Sequence, residues 1–330
     1  MKKLLLFALI AITITAFNAC SKDDNDDNNS EAGSSGNFVD DSSIIEFKDP
    51  LFLNAILEKG NIDQNNDNQI SIKEAENVTS LAIYNIRNLD EICYFTALRS
   101  LSCSGDQLTS LDVSKLSELV NLECSNSQIS SLDLKGNTKL VGLICQNNKL
   151  SSLDISKNQY LRTLECNNNE LTALNLNKNP ELLNLHCVDN QIITLNISKN
   201  TELVSLYCYN NQLVSLNTSG NRELKELYCS NNRLTTLDVS KNIKLKTLYC
   251  YNNQLTTLNI SKNTDLQSLD CRNNQLSILD VSTCKKLINL KSSGNPNLKS
   301  IIVYKYYMPE LYADLKDILQ EYGDIITYTE

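Results

Sequence analysis

Nine of the twelve cysteines in this chain stand 21 residues apart without exception, from Cys103 through Cys124, Cys145, Cys166, Cys187, Cys208, Cys229 and Cys250 to Cys271. A leucine stands two residues before each, from Leu101 to Leu269, and another five residues before each, from Leu98 to Leu266. A unit this short cannot bury its own apolar side chains. It must bury them against copies of itself, so the chain has to fold as a solenoid of stacked coils. The unit reads L-x-x-L-x-C-x-x-N-x-L-x-x-L-(D/N)-(V/I/L)-S-x-N-x-x, two half-repeats of 10 and 11 residues. The stretch around Leu-x-Cys predicts a short strand with alternate side chains turned inward, and stacked coils then make a parallel sheet on one face. An asparagine three residues after the cysteine, from Asn148 to Asn295, is expected to turn inward at a corner and satisfy backbone groups there. A second series, Asn137 to Asn263, marks another corner. Two corners per coil leave a second side with little or no helix. The ends depart from the rule: Asp106 and Leu116 stand in the first coil, Ser127 in the second, Cys284 in the last full one, and Ser292 at the tenth ladder position.

The cysteine count first suggests a disulfide framework. The spacing argues for a reduced ladder instead. An inward cysteine behaves as a small apolar side chain. Rungs of a sheet lie about 4.8 Å apart, but parallel Cβ vectors on neighbouring rungs do not offer disulfide geometry. Cysteines in a line are also no tetrahedral metal cluster. The repeat resembles the leucine-rich repeat, most closely the 21-residue cysteine-bearing type of internalin-J-like proteins, over residues 79–300. The resemblance implies a recognition or adhesion role, at the level of fold analogy.

The flanks carry separate signals. Residues 1–19 read as a signal peptide: Lys2 and Lys3, an apolar run from Leu4 to Phe17 too short to span a bilayer, then Asn18 and Ala19. The following Cys20 resembles the lipidated cysteine of bacterial lipoproteins, with Phe17 where an aliphatic residue is usual; an ordinary secretory signal is the alternative. Residues 20–43 read as a lipidated cysteine and a disordered acidic tether. Their Ser21-Lys22-Asp23-Asp24 run resembles the surface-export signal of Bacteroidota lipoproteins, which implies an outer-membrane lipoprotein exposed on the cell surface, held by its lipid alone.

Residues 44–78 are expected to cap the solenoid, with a helix over Pro50–Lys59 ended by Gly60. The next segment fits the twelve-residue calcium loop: Asp63, Asn65, Asp67, the Gln69 carbonyl, Ser71 and Glu74 fall at the ligand positions, with Asn68 where glycine is expected. It resembles a single EF-hand or dockerin-like loop. A structural calcium ion is one reading and a polar Asx-rich turn the other. Residues 301–330 are expected to form a C-terminal α/β cap: a strand over Ile301–Tyr306, a helix over Pro309–Tyr322 and a strand over Ile325–Tyr328.

If Leu and Cys point inward, their neighbours point out onto the sheet face. Tyr207, Tyr209, Tyr228, Tyr249 and Tyr251 then form one exposed aromatic patch in three consecutive coils, with His186 beside it and Asp270 and Arg272 at its rim. Tyrosine is a favoured contact residue; the alternative is a ladder that only stabilises the sheet. His186 is the one histidine of the chain, which excludes any site needing two. No phosphate loop, nucleophile elbow or paired-carboxylate signal is present, so no enzyme activity is expected. A formal charge of −9 argues against nucleic acid as a partner. The expected partner is a protein, or alternatively a glycan stacked on the tyrosines, with the chain itself a monomer.

Overall fold

The computed structural model describes residues 44–105, 107–304 and 325–329. The signal peptide, Cys20, the acidic tether and the expected helix over 309–322 lie outside them. Eleven three-residue strands, one per coil from Ser80–Ala82 to Asn289–Lys291, form a single parallel sheet. The register is continuous, each strand's leucine opposite the next, as in Leu206, Leu227 and Leu248. The sheet bonds run on past the strands: the Cys208 N–H donates to the Tyr228 carbonyl at 2.8 Å and the Cys229 N–H to the Tyr249 carbonyl at 2.8 Å. Leucines and cysteines face inward and are fully or almost fully buried, in one apolar cluster that runs from Ile45 to Val303. Among the described residues no repeat contains an α-helix, though a 3-10 helix, Asp90–Tyr94, joins the first two strands; elsewhere the second side is mostly turns, with one pair of two-residue strands, Leu174–Asn175 and Leu195–Asn196.

The cysteine column consists of free thiols. Burial in an apolar line disfavours the thiolate, pushing the thiols of Cys124, Cys187 and Cys229 up to about 12. The corner asparagines turn inward and bind backbone. In a typical coil the Asn169 side-chain amide donates to the carbonyls of Cys145 at 3.0 Å and Cys166 at 3.2 Å, and its oxygen accepts from the Leu150 N–H at 3.0 Å. One side chain thus ties its own coil to the preceding one. The second series is only half satisfied: the Asn179 amide donates to the carbonyls of Ile155 and Asn158, but its buried oxygen has no hydrogen-bond partner.

A third asparagine column was not anticipated. Two residues after each ladder cysteine, Asn126, Asn147, Asn168, Asp189, Asn210, Asn231, Asn252 and Asn273 adopt left-handed φ values of 50° to 57°. Asparagine tolerates this conformation better than any residue but glycine, and Gly105 and Gly294 hold the same position at the two ends. The exposed amides chain together, Asn147 to Asn126, Asn231 to Asn210 and Asn252 to Asn231 at 2.5–2.6 Å.

At the N-terminal end helix α1 (Pro50–Leu57) starts at Asp49, whose carboxylate accepts from the Leu51, Arg87 and Asn88 N–H groups. It stops two residues short of the expected Lys59, and Gly60 at φ +68° then turns the chain away. Phe52 and Ile56 are fully buried, and the Phe52 and Phe95 rings lie 6.0 Å apart, so this segment shares the core of the first coils. At the other end the strand Ser300–Tyr304 does not extend the main sheet. It pairs in parallel with Ile278–Asp280 and Ile326–Thr329. Ile278–Asp280 holds the same place in its coil as Leu174–Asn175, so the chain leaves the solenoid along its second side.

Candidate recognition face

Each strand presents one inward leucine flanked by two side chains on the sheet face, so residues 21 apart stack in columns about 4.8 Å per rung. In the column just before the cysteines His186, Tyr207, Tyr228 and Tyr249 are consecutive. His186 stacks on Tyr207 with ring centroids 4.3 Å apart and 20° between planes; Tyr207 and Tyr228 are 4.3 Å apart, and Tyr228 and Tyr249 are 4.8 Å apart. The expected exposed patch is in fact half-buried, because each ring covers its neighbour. Tyr209 and Tyr251, in the column after the cysteines, are separated by the rung of Ser230.

Glu226 ties the stack together and was missed in the sequence. Its Oε2 accepts from the Tyr207 hydroxyl at 2.8 Å and the Ser205 hydroxyl at 3.2 Å. It stands two residues before Tyr228, so strand alternation alone places it on this face. Burial, and then this carboxylate, push the Tyr207 hydroxyl well up; Tyr209 and Tyr228 are also raised, first by burial.

His186 was expected beside the tyrosine patch, and its ring lies against Tyr207. Its Nδ1 lies 3.8 Å from Glu165 Oε1, and burial lowers its pKa, partly opposed by the Glu226 charge. Burial and then the nearby Glu123 charge raise that of Glu165. Glu123 accepts from the Ser102 hydroxyl at 3.0 Å. At the rim Arg272 donates to both Asp270 oxygens, at 2.9 and 2.6 Å, and lies over the Tyr251 ring at 5.6 Å. Asp270 is 4% exposed, so this is a bonded pair rather than two loose rim charges.

The candidate calcium loop is closed on itself. Asp63 accepts from the Asp67 and Asn68 N–H groups, and Asp67 from that of Gln69. Asn68 has the left-handed φ of 64° that its position requires. Glu74, the expected bidentate ligand, instead accepts from the Gln64 N–H at 2.8 Å and from the Ser71 N–H and hydroxyl at 2.8 Å. With Ser71 it forms a capping box on the short helix α2 (Ile72–Ala75). Among the described residues, no three His, Cys, Asp or Glu side chains gather closely enough to hold a metal ion. Nor is any described helix long and apolar enough to cross a membrane.

A family model for leucine-rich repeats in two copies matches residues 222–263. The functional domain of InlJ from Listeria monocytogenes, which includes a cysteine ladder, is similar at 31% identity and a TM-score of 0.61, over 70% of this chain and 57% of that one. This chain therefore spans little more than half of that domain. An internalin, InlF, from Listeria monocytogenes is similar in fold at 21% identity and a TM-score of 0.69, over 86% of this chain and 91% of that one. The plant peptide hormone receptor RGFR1, solved in complex with RGF2, is similar in fold at 20% identity and a TM-score of 0.53, over 78% of this chain and 52% of that one. No curated protein matches this chain in sequence.

Proposed function

We propose, from the leucine-rich repeat match over residues 222–263 and the internalin-like structural neighbours, that the chain is a non-enzymatic recognition or adhesion module that binds a protein partner on its sheet face. The observation that carries the proposal is the stack His186–Tyr207–Tyr228–Tyr249, four rings aligned on one face. Half-buried tyrosines held in place lose little side-chain freedom on binding, which is what makes such residues effective contacts. Sheet stabilisation alone would need no aromatic in consecutive coils, since coils with Ser102, Glu123 or Ile144 at the same position pair equally well. A glycan ligand is the second reading, favoured by the same ring faces. Display on the outer membrane through a lipid on Cys20, behind a cleaved signal peptide and the 20–43 tether, completes the proposal and rests on the sequence signals.

The test is a binding screen of the mature protein against immobilised surface proteins and glycans. A Tyr207→Ala/Tyr228→Ala/Tyr249→Ala variant runs beside it. A ligand bound by the wild type and lost in the variant is the expected result; equal binding by both rejects the face.

A structural calcium ion on Asp63, Asn65, Asp67, the Gln69 carbonyl, Ser71 and Glu74 remains a proposal. The donor set is all oxygen and suits a hard cation, and the loop backbone has the right turn at Asn68. The ion would have to draw Glu74 away from the Ser71 capping box. Calorimetry with calcium on wild type and Glu74→Ala tests it, and absence of heat in the wild type rejects the site.

A further inference from the structure

The sheet face contains its own example of how it holds a cation. The Arg272 guanidinium is gripped by the Asp270 carboxylate at 2.9 and 2.6 Å and lies 5.6 Å from the centroid of Tyr251. Carboxylate and aromatic face together are a strong recognition pair for a guanidinium. Two coils earlier the same pair of groups recurs without the cation: Glu226 stands against Tyr207 and beside Tyr228. Glu165 and Glu123 continue the line of carboxylates further along the face.

None of these three glutamates pairs with a lysine or arginine among the described residues. The one basic side chain paired with Glu165 among the described residues is His186, whose burial favours the neutral ring. The basic residues just ahead of the strands serve the neighbouring edge: Arg162 pairs with Glu181, Arg99 acts on Glu118, and Lys246 acts on Asp265. Lys225 is exposed ahead of its strand, and Lys291 is exposed on the last rung of the sheet. Short of the Arg272 end, the face therefore offers the carboxylates of Glu123, Glu165 and Glu226 and the rings of Tyr207 and Tyr228 with no lysine or arginine paired to those carboxylates among the described residues.

We propose that the occupant of the sheet face is an extended basic peptide segment, whose arginine or lysine side chains dock on Glu123, Glu165 and Glu226 and lie over the tyrosine rings. This deepens the recognition reading above and rests on it. Glu123 and Glu165 share a column two rungs apart, and Glu226 lies three rungs beyond Glu165 and two residues back along its strand, so the steps along the stack are about 10 and 14 Å. An extended chain rising about 3.4 Å per residue and lying across the strands meets them with basic residues about three and four positions apart. Such a contact is electrostatically steered, so it weakens with salt. Protonation of Glu165, whose pKa is raised, weakens it earlier on acidification than an ordinary carboxylate would.

The experiment uses the mature chain and a labelled peptide of about ten residues, with three arginines at that spacing in a glycine–serine background. Counterparts carry glutamate or glutamine in place of arginine. Fluorescence anisotropy is read at low and at about physiological salt. The expected result is saturable binding of the arginine peptide, at least about tenfold tighter than either counterpart and weakened by salt. The Glu123→Gln/Glu165→Gln/Glu226→Gln variant keeps the side-chain shape and is expected to lose at least about tenfold in affinity. Its thermal midpoint serves as the folding control. Failure of the arginine peptide to bind, equal binding of all three peptides, or indifference to the glutamine variant overturns the proposal. If a neutral peptide or a glycan then binds in a manner that Tyr207→Ala/Tyr228→Ala/Tyr249→Ala abolishes, the recognition face stands and only its cationic partner falls. If no ligand responds to the tyrosine variant, both fall.

Discussion

Ser292 occupies the tenth place in the cysteine column, and its hydroxyl is fully buried with no hydrogen-bond partner. A buried, unpaired hydroxyl costs about 1–3 kcal/mol, whereas a thiol in the same place behaves as an apolar group. Ser292→Cys is therefore expected to raise the urea unfolding midpoint by an amount worth about 1 kcal/mol. The reverse change inside the column, Cys208→Ser, should lower it by at least as much. Glu165 is a second residue whose environment works against its charge. Its folded pKa is raised by burial and by Glu123, so above that value the ionised form costs stability, and below the ordinary carboxylate range both folded and unfolded chains hold the proton and the cost vanishes. Glu165→Gln should thus stabilise the protein at pH 7 and make no difference at about pH 3, read from thermal midpoints across pH. The alternation of side chains suffices to turn Ser292 inward and Glu165 onto the sheet face. That Ser292 lacks a partner, and that Glu165 meets His186, depended on packing between coils.

The corner is the element that turns a flat repeat into a coil. Asn211 donates to the carbonyls of Cys187 and Cys208 at 2.9 and 3.2 Å and accepts from the Ile192 N–H at 3.0 Å. Asn211→Ala leaves the buried Ile192 N–H unpaired, while the Cys187 and Cys208 carbonyls keep the amides of Asn190 and Asn232, so a loss of about 1–3 kcal/mol is expected in equilibrium unfolding. The second corner offers the opposite experiment. Thr218 donates its hydroxyl to Asn242 Oδ1 at 2.7 Å, while Asn263 Oδ1, one coil on, has no partner because Val239 stands where Thr218 does. Val239→Thr is nearly isosteric. It should be neutral or stabilising by up to about 1 kcal/mol, where a buried valine-to-threonine change is ordinarily costly. Both inward asparagine columns were legible from spacing alone. The left-handed column was visible too, in runs such as Asn167-Asn168-Asn169, yet spacing does not state a φ angle. Glycine at Gly105 and Gly294 in the same position was the available signal.

Across the molecule the cysteines act as packing, not as staples. Ten of the described thiols are buried and one, Cys93, is only partly so. A thiol reagent added to the native protein at neutral pH should label Cys93 first and leave the column intact, since burial both blocks access and disfavours the thiolate. In denaturant all the described cysteines should react. Loss of labelling in denaturant would mean the column had oxidised. Because each coil rests on its neighbours, damage at one rung is expected to spread along the stack rather than stay local.

Periodicity by itself determined the solenoid, the inward leucine and cysteine, the two inward corner asparagines and the tyrosines on one face. A repeat that can bury its apolar side chains only against copies of itself leaves the chain no other arrangement. The tertiary structure decided what lies between columns: Glu226 bonded to Tyr207, His186 stacked on the tyrosines and facing Glu165, Arg272 folded onto Asp270 and Tyr251. It also decided that Glu74 closes its own loop and that the last strands leave along the second side. These contacts are made between side chains from different coils or turned back on their own loop, and rotamers there are chosen by neighbours that a period of 21 residues places in register but does not orient.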